Sequence, residues 1–236
     1  QFPGSVISIL TMGPGRAADI IREGMFRGAD DGFLLTDRAF AGSDTLATSY
    51  ALSRAILKYG KYDIIICGRQ AIDGDTAQVG PQVAAKLKLP QVTYVEEIKN
   101  IDSKSVTLKR RLENGIEIVK APVPVLITVT GSAPSCRARN ARLIMKYKHA
   151  KTVTERQAAN EDYLSLYNDR PYLNIQEWTV NEVEVDHIQL GLSGSPTKVK
   201  KIDNVVLQAK DARKIEPTDA EINLLMKELI DSHTIG

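Results

Sequence analysis

The chain is poor in the residues that most often reveal a chemistry. Its 236 residues include two cysteines, Cys67 and Cys136, far apart and without metal-ligand spacing. That excludes a disulfide scaffold and favours a reducing, cytoplasmic compartment. The three histidines, His149, His187 and His233, are scattered, so no metal cluster is expected. A formal net charge of +2 is too small to point to nucleic acid or a membrane surface. No apolar run approaches the roughly 20 residues needed to cross a bilayer. Both ordinary nucleotide fingerprints, G-x-G-x-x-G in its dinucleotide arrangement and G-x-x-x-x-G-K-[ST], are absent. No nucleophile is paired with a base, since Ser135 and Cys136 have arginines rather than a histidine for neighbours. No side chain is therefore expected to be catalytic, and redox chemistry would have to be carried by a bound cofactor.

What is present is an alternation of apolar runs and helical patterns. Residues 6–10, 32–35 and 63–67 read as strands, with helices after the first at 17–25, after the second at 44–59, and near Val79 after the third. Ile64, Ile65, Ile66 and Cys67 form an apolar run without alternation, as strands covered on both faces do. This order predicts an α/β fold, a doubly wound and mostly parallel sheet. Beyond Pro90 the pattern turns to strands at 92–98, 105–112, 116–120 and 123–130. Asn114-Gly115 serves as the hairpin signal between the second and third, which makes an antiparallel extension. Residues 132–142 read as a basic loop and 155–166 as a helix. The Gly- and Ser-rich stretch 191–196 separates a nucleotide-binding domain, 1–195, from a C-terminal arm, 196–236. In that arm Thr218 and Glu221 form a capping box, and Ile222, Leu225, Met226 and Leu229 make an apolar stripe. The stripe must be buried, either on its own domain or on a partner.

In a doubly wound sheet, ligands bind beyond the carboxyl ends of the strands. Three such ends are rich in small and capping residues. They are Thr11-Met12-Gly13, the segment 37–45 with Phe40, Gly42, Asp44 and Thr45, and the segment 68–81. Pro81 suits the first turn of a helix. Gly74, Thr76, Ala77, Gln78 and Val79 are thereby brought to a helix N-terminus, where free N–H groups suit a phosphate. Asp73 and Asp75 would cap turns or accept from ribose hydroxyls, since a carboxylate repels phosphate. Arg69, beside Gly68 and Gln70, could offset phosphate charge or stack on a ring. Each turn alone is an ordinary strand-to-helix connection, but three on one edge point to a nucleotide.

Residues 68–82 resemble the nucleotide loop of electron-transfer flavoprotein beta subunits. Residues 110–113, Gly115 and 124–128 resemble that family's signature region, with Leu108 and Asn114 departing from its usual choices. Thr11-Met12-Gly13-Pro14 and residues 178–196 fit as well. The resemblance implies an adenine-nucleotide-hydrolase-like α/β domain in a heterodimer with an alpha subunit that carries FAD. The beta subunit then holds either structural AMP or, in electron-bifurcating members, a second FAD. That second FAD takes a hydride from NADH and sends electrons to ferredoxin or flavodoxin and to a flavin-dependent dehydrogenase. Residues 37–48, with Gly74, Thr76 and Val79, are similar to the bifurcating form. The resemblance also implies a strand and helix ahead of Gln1. It makes 132–142 a docking loop for the dehydrogenase, offering Ala133, Pro134, Arg137, Arg139 and Arg142. A stress-protein-like ATP-binding module of the same fold would need no alpha subunit, and the C-terminal arm argues against it.

Overall fold

A computed structural model describes residues 3–159, 164–199, 214–232 and 234. The chain forms two units, residues 1–198 and 199–236. In the first, β1 (Ser8–Met12), α1 (Ala18–Arg27), β2 (Asp31–Leu35), α2 (Thr45–Tyr59), β3 (Ile64–Gly68) and α3 (Val79–Leu87) alternate. Then follow β4 (Gln91–Ile101), β5 (Ser105–Leu112), β6 (Gly115–Pro122) and β7 (Val125–Val129). Three short helices, α4 (Ala141–Tyr147), α5 (Val153–Ala158) and α6 (Leu164–Asp169), lead to a last strand, β8 (Gln176–Trp178). The mixed, mostly parallel α/β class expected from the alternation is the one observed.

The strands lie in two sheets. One has the order β1-β2-β8 and is wholly parallel. The other has the order β3-β7-β4-β5-β6, in which β3, β7 and β4 are parallel and the last two strands extend it antiparallel. Helix α2 serves both. Its Ala51 and Ala55 pack with Phe33, Leu35 and Trp178, while Leu52 and Ile56 pack with Val83, Ala84 and Leu126. Asp44 starts the helix by accepting from the N–H groups of Leu46 and Ala47, and Gly60 ends it in the left-handed conformation.

Four expectations need correction. The β3 run is not covered on both faces: Ile66 is 62% exposed. Helices α2 and α3 cover the face that holds Ile65 and Cys67, and Ile66 points to the other; β3 also pairs with β7 alone, so one edge has no strand among the described residues, and the same holds for β1. The hairpin forms, but Leu112 pairs directly with Gly115, which makes Glu113-Asn114 the two-residue turn and leaves Gly115 to open β6. The basic loop ends early, because Asn140 accepts from the N–H groups of Arg142 and Leu143 and starts α4. The single helix expected over 155–166 is two, α5 with its Thr152–Glu155 capping box and α6, with residues 160–163 outside the described set. Strand β8, absent from the sequence reading, adds a third parallel strand beside β2.

The second unit contains α7 (Asp219–Asp231), whose N-cap Thr218 accepts from the Glu221 N–H. Along the expected stripe Ile222 and Met226 are exposed, and Leu225 and Leu229 are half-buried. His233 and residues 200–213 of the arm lie outside the described residues.

Candidate functional site

The three strand ends singled out in the sequence differ in construction. After β1, the Gly13 N–H donates to Leu35 O at 3.1 Å, which binds this end to β2. Thr11 stands opposite Leu34 in the ladder, and Met12 packs at the edge of the core around Phe33. After β2, Asp37 caps a short turn by accepting from the Ala39 N–H. Phe40 is buried in the core, where it anchors the loop. Gly42 takes φ +73. The carboxylate of Asp44 is fully engaged. Besides capping α2, it accepts from both the N–H and the hydroxyl of Thr197, at 3.1 and 2.8 Å. Burial acts to raise its pKa, but these donors, with Ala47 foremost, outweigh it and hold the group below the usual aspartate range.

The end of β3 is open by contrast. Gly68 is the last ladder residue, and the Arg69 N–H still reaches Val129 O at 3.0 Å. Beyond it the chain turns on local bonds alone: Gly74 N–H to Asp73 Oδ1, and Asp75 N–H to Ala71 O. Asp75 and Ala77 both take positive φ, +49 and +53, which turns the chain sharply into α3. One bond ties this loop to its neighbour, from Thr45 Oγ1 to Gln78 Oε1 at 2.9 Å. Gln78, the N-cap of α3, makes no capping bond with its side chain. From Thr76 to Gly80 no amide N–H has an acceptor among the described residues. Gly80 is required where it stands, since a Cβ there would lie 2.7 Å from Thr128 Cγ2 of β7. The close approach holds the first turn of α3 against the sheet. Gly74 has nothing near it, which leaves room beside the free amides.

A cavity of about 1070 Å³ adjoins this loop, and no residue from the ends of β1 or β2 lines it. It shares Arg69, Gln70, Ile72 and Asp75 with the loop, and its far wall is Tyr94, Arg111 and Glu113. The end of β7, Val129 to Ser132, forms its floor. Under this wall sits Glu96, 6% exposed. It accepts from Ser132 Oγ at 2.6 Å, Arg111 Nε at 2.5 Å and Lys109 Nζ at 3.3 Å. The hydroxyl of Ser132 and the Arg111 guanidinium hold its pKa down to about 2, against the opposing effect of burial. In the sequence, Arg111 falls in the signature-like segment 110–113 and Ser132 at the start of the loop 132–142, neither as a cavity residue, and Tyr94 and Glu96 are not singled out. The only local signal was the charged alternation of β4 and β5, which reads equally as a solvated strand face.

The proposed docking residues lie on the surface after β7. Ala133 is half-buried, and Pro134, Arg137, Arg139 and Arg142 are exposed. Arg139 is ion-paired with Glu23 at 2.6 Å, and the Arg137 carbonyl accepts from Arg27, so the loop is fastened to α1. Cys67 is half-buried and Cys136 exposed, both as free thiols, and burial pushes the Cys67 pKa up. Among the described residues there is no cluster fit for a metal ion and no helix long and apolar enough to cross a membrane.

Residues 3–160 match the family model for the electron transfer flavoprotein domain. The chain is 43% identical over 196 residues to the electron transfer flavoprotein subunit beta of Thermoanaerobacterium thermosaccharolyticum, covering 83% of this chain and 66% of that protein. It thus spans just under two thirds of that relative's length. Against the subunit beta of Clostridium acetobutylicum the identity is 35% over 232 residues, 98% of this chain and 80% of the other. Against the caffeyl-CoA reductase-Etf complex subunit CarD of Acetobacterium woodii it is 50% over 128 residues, 54% of this chain and 48% of the other. With the domain match covering well over half of its length, the chain belongs to the electron transfer flavoprotein family and aligns with its beta subunits.

Proposed function

We propose that the chain is the nucleotide-holding half of a heterodimeric electron-transfer flavoprotein, paired with an alpha subunit, and that its loop 68–80 holds FAD. The observation that carries this reading is the run of free amide N–H groups from Thr76 to Gly80 at the uncapped start of a nine-residue helix. Adjacent N–H groups at the positive end of a helix suit a phosphate or pyrophosphate, and the absence of side chain at Gly74 leaves room for one. Bound there, the flavin supplies hydride acceptance from NADH and division of the electrons between ferredoxin or flavodoxin and, through the alpha-subunit FAD, a partner dehydrogenase. The residues of this chain bind and orient. Asp73 and Asp75 shape the turn, the Thr45–Gln78 bond fixes the loop against α2, and Gly80 lets α3 lie on β7.

The bifurcating form is favoured by the loop 37–48 and by the identity to CarD, a protein named as part of a reductase–Etf complex. In this reading the exposed loop with Ala133, Pro134, Arg137 and Arg142 meets the dehydrogenase, and the apolar stripe of α7 packs on the alpha subunit. The test is to denature the chain purified with its alpha subunit and identify what is released. Two FAD per heterodimer are expected. One FAD and one AMP would overturn the bifurcating reading and leave a beta subunit with structural AMP.

A further inference from the structure

The loop 132–142 is strung between two polar clamps. At its far end the Arg137 carbonyl accepts from Arg27, Arg139 pairs with Glu23, and the Asn140 N–H donates to Phe26 O, all on α1. At its near end the Ser132 hydroxyl donates to Glu96 Oε1 at 2.6 Å. A hydroxyl has one proton, so the Thr130 hydroxyl in turn donates to Ser132 Oγ, at 2.7 Å. The Ala133 N–H donates to Thr130 O and closes the turn. Between the clamps Pro134, Ser135 and Cys136 make no hydrogen bond among the described residues. Their departure from the sheet is therefore set by the near clamp.

Glu96 reaches that position through a β-bulge. Val95 pairs with Arg110, and Glu97 pairs with Lys109, the next residue along β5, so Glu96 is the extra residue on β4. A bulge re-aims a side chain, and here it turns a carboxylate into a buried place at the root of the loop. A buried charge is costly unless paired, and an apolar residue of similar volume would serve the sheet as well. The charge is kept nonetheless. Arg111 and Lys109 hold it ionised, and the oxygen that takes the Arg111 Nε also takes the Ser132 hydroxyl. One residue earlier, the Val95 carbonyl accepts from the Thr130 N–H at 3.1 Å. Strand β4 thus grips the start of the loop by backbone and side chain together.

We propose that Glu96 is a positioning residue for the docking loop, fixing through Ser132 the turn from which residues 133–136 leave β7. It acts on the dehydrogenase only by way of that loop. The meeting of loop and dehydrogenase rests on the function proposed above; the clamp does not.

The experiment follows amide hydrogen exchange in the chain purified with its alpha subunit, for the parent and for Ser132→Ala, Ser132→Thr and Glu96→Gln. Ser132 is exposed, so its two variants keep the test open should the buried Glu96→Gln fail to fold. Losing a hydrogen bond to a charged group loosens a turn by about tenfold or more. Exchange in peptides covering 130–136 should rise by that factor in Ser132→Ala. It should return to the parent rate in Ser132→Thr, which keeps the hydroxyl. Folded Glu96→Gln should show a rise in the same peptides. Those covering 105–112 should exchange at the parent rate in Ser132→Ala. Parent rates at 130–136 in Ser132→Ala would overturn the proposal. An equal rise in Ser132→Thr and Ser132→Ala would do so too, since the hydroxyl would then play no part. Neither measurement involves a dehydrogenase or the identity of the bound nucleotide. Failure of the clamp therefore leaves the proposed function standing, and release of AMP in place of a second FAD leaves the clamp standing.

Discussion

The loops that follow β2 and β3 stand on the same rim and are built in opposite ways. The first is tied from several directions. The Thr36 N–H reaches Trp178 O, Asp37 caps one turn, and the Asp44 N–H donates to Ser195 Oγ while its carboxylate holds α2 and Thr197. Gly191, with φ +52, lets the returning chain come so near that a Cβ would lie 2.4 Å from Ala39 O. Past Arg69 the second loop makes two bonds within itself and one to α2, and Ile72 at its tip is fully exposed. Buried polar groups in native proteins are satisfied, whereas groups kept free on a rigid base are available to a ligand. On the function proposed above, the first loop would serve as scaffold and the second as the binding element.

The largest way to break this comparison is at the joint between loop and sheet. Gly80→Val would force Thr128 aside and is expected to lower stability by about 2–3 kcal/mol in urea denaturation. A smaller effect follows in the tied loop. Asp44→Ala removes the α2 cap and the Thr197 contacts and should cost about 2 kcal/mol. Ala in place of Asp73 should cost well under half of that, because it serves one exposed turn.

Acid sharpens the picture on the cavity side. The folded pKa of Glu96 lies below its unfolded value, so its contribution to stability is present above about pH 4.5 and is lost as pH falls toward about 2. The stability gap between the parent and Glu96→Gln, measured by denaturation at a series of pH values, should therefore shrink over that window. The smallest effect is expected at Ala77→Gly. Glycine relieves the left-handed backbone but adds freedom to the unfolded chain, so stability should move by less than about 1 kcal/mol. Retention of the bound nucleotide should nonetheless weaken, since the amides are then less fixed.

Local chemistry was legible in the sequence where it was carried by neighbouring residues. The helical pattern over 44–59 announced α2, Pro81 announced the start of α3, and the alternation of apolar runs announced a parallel α/β fold. What was illegible depends on residues far apart in the chain. Trp178 finds β2 only after the chain has returned, so three residues of β8 carry no pattern of their own. Glu96 gains its role from Arg111 and Ser132, on two other strand ends, and in β4 alone it reads as one more surface carboxylate. Ile66 misled in the other direction. An unbroken apolar run signals burial on both faces, but that requires a packed layer on each, and the helices α2 and α3 cover only the face of Ile65 and Cys67. The loops after the parallel strands could be delimited because glycine and capping residues act within a few positions; the cavity was missed because it is assembled from the ends of β3, β4, β5 and β7.

Hydrogen–deuterium exchange on the purified complex, stripped of nucleotide and then reloaded, tests the division between the two loops most directly. Reloading should slow exchange in peptides covering residues 74–82 by about tenfold or more and leave those covering 36–46 unchanged. Equal exchange at 74–82 in both states, or protection confined to 36–46, would contradict the assignment of the free amides to the ligand.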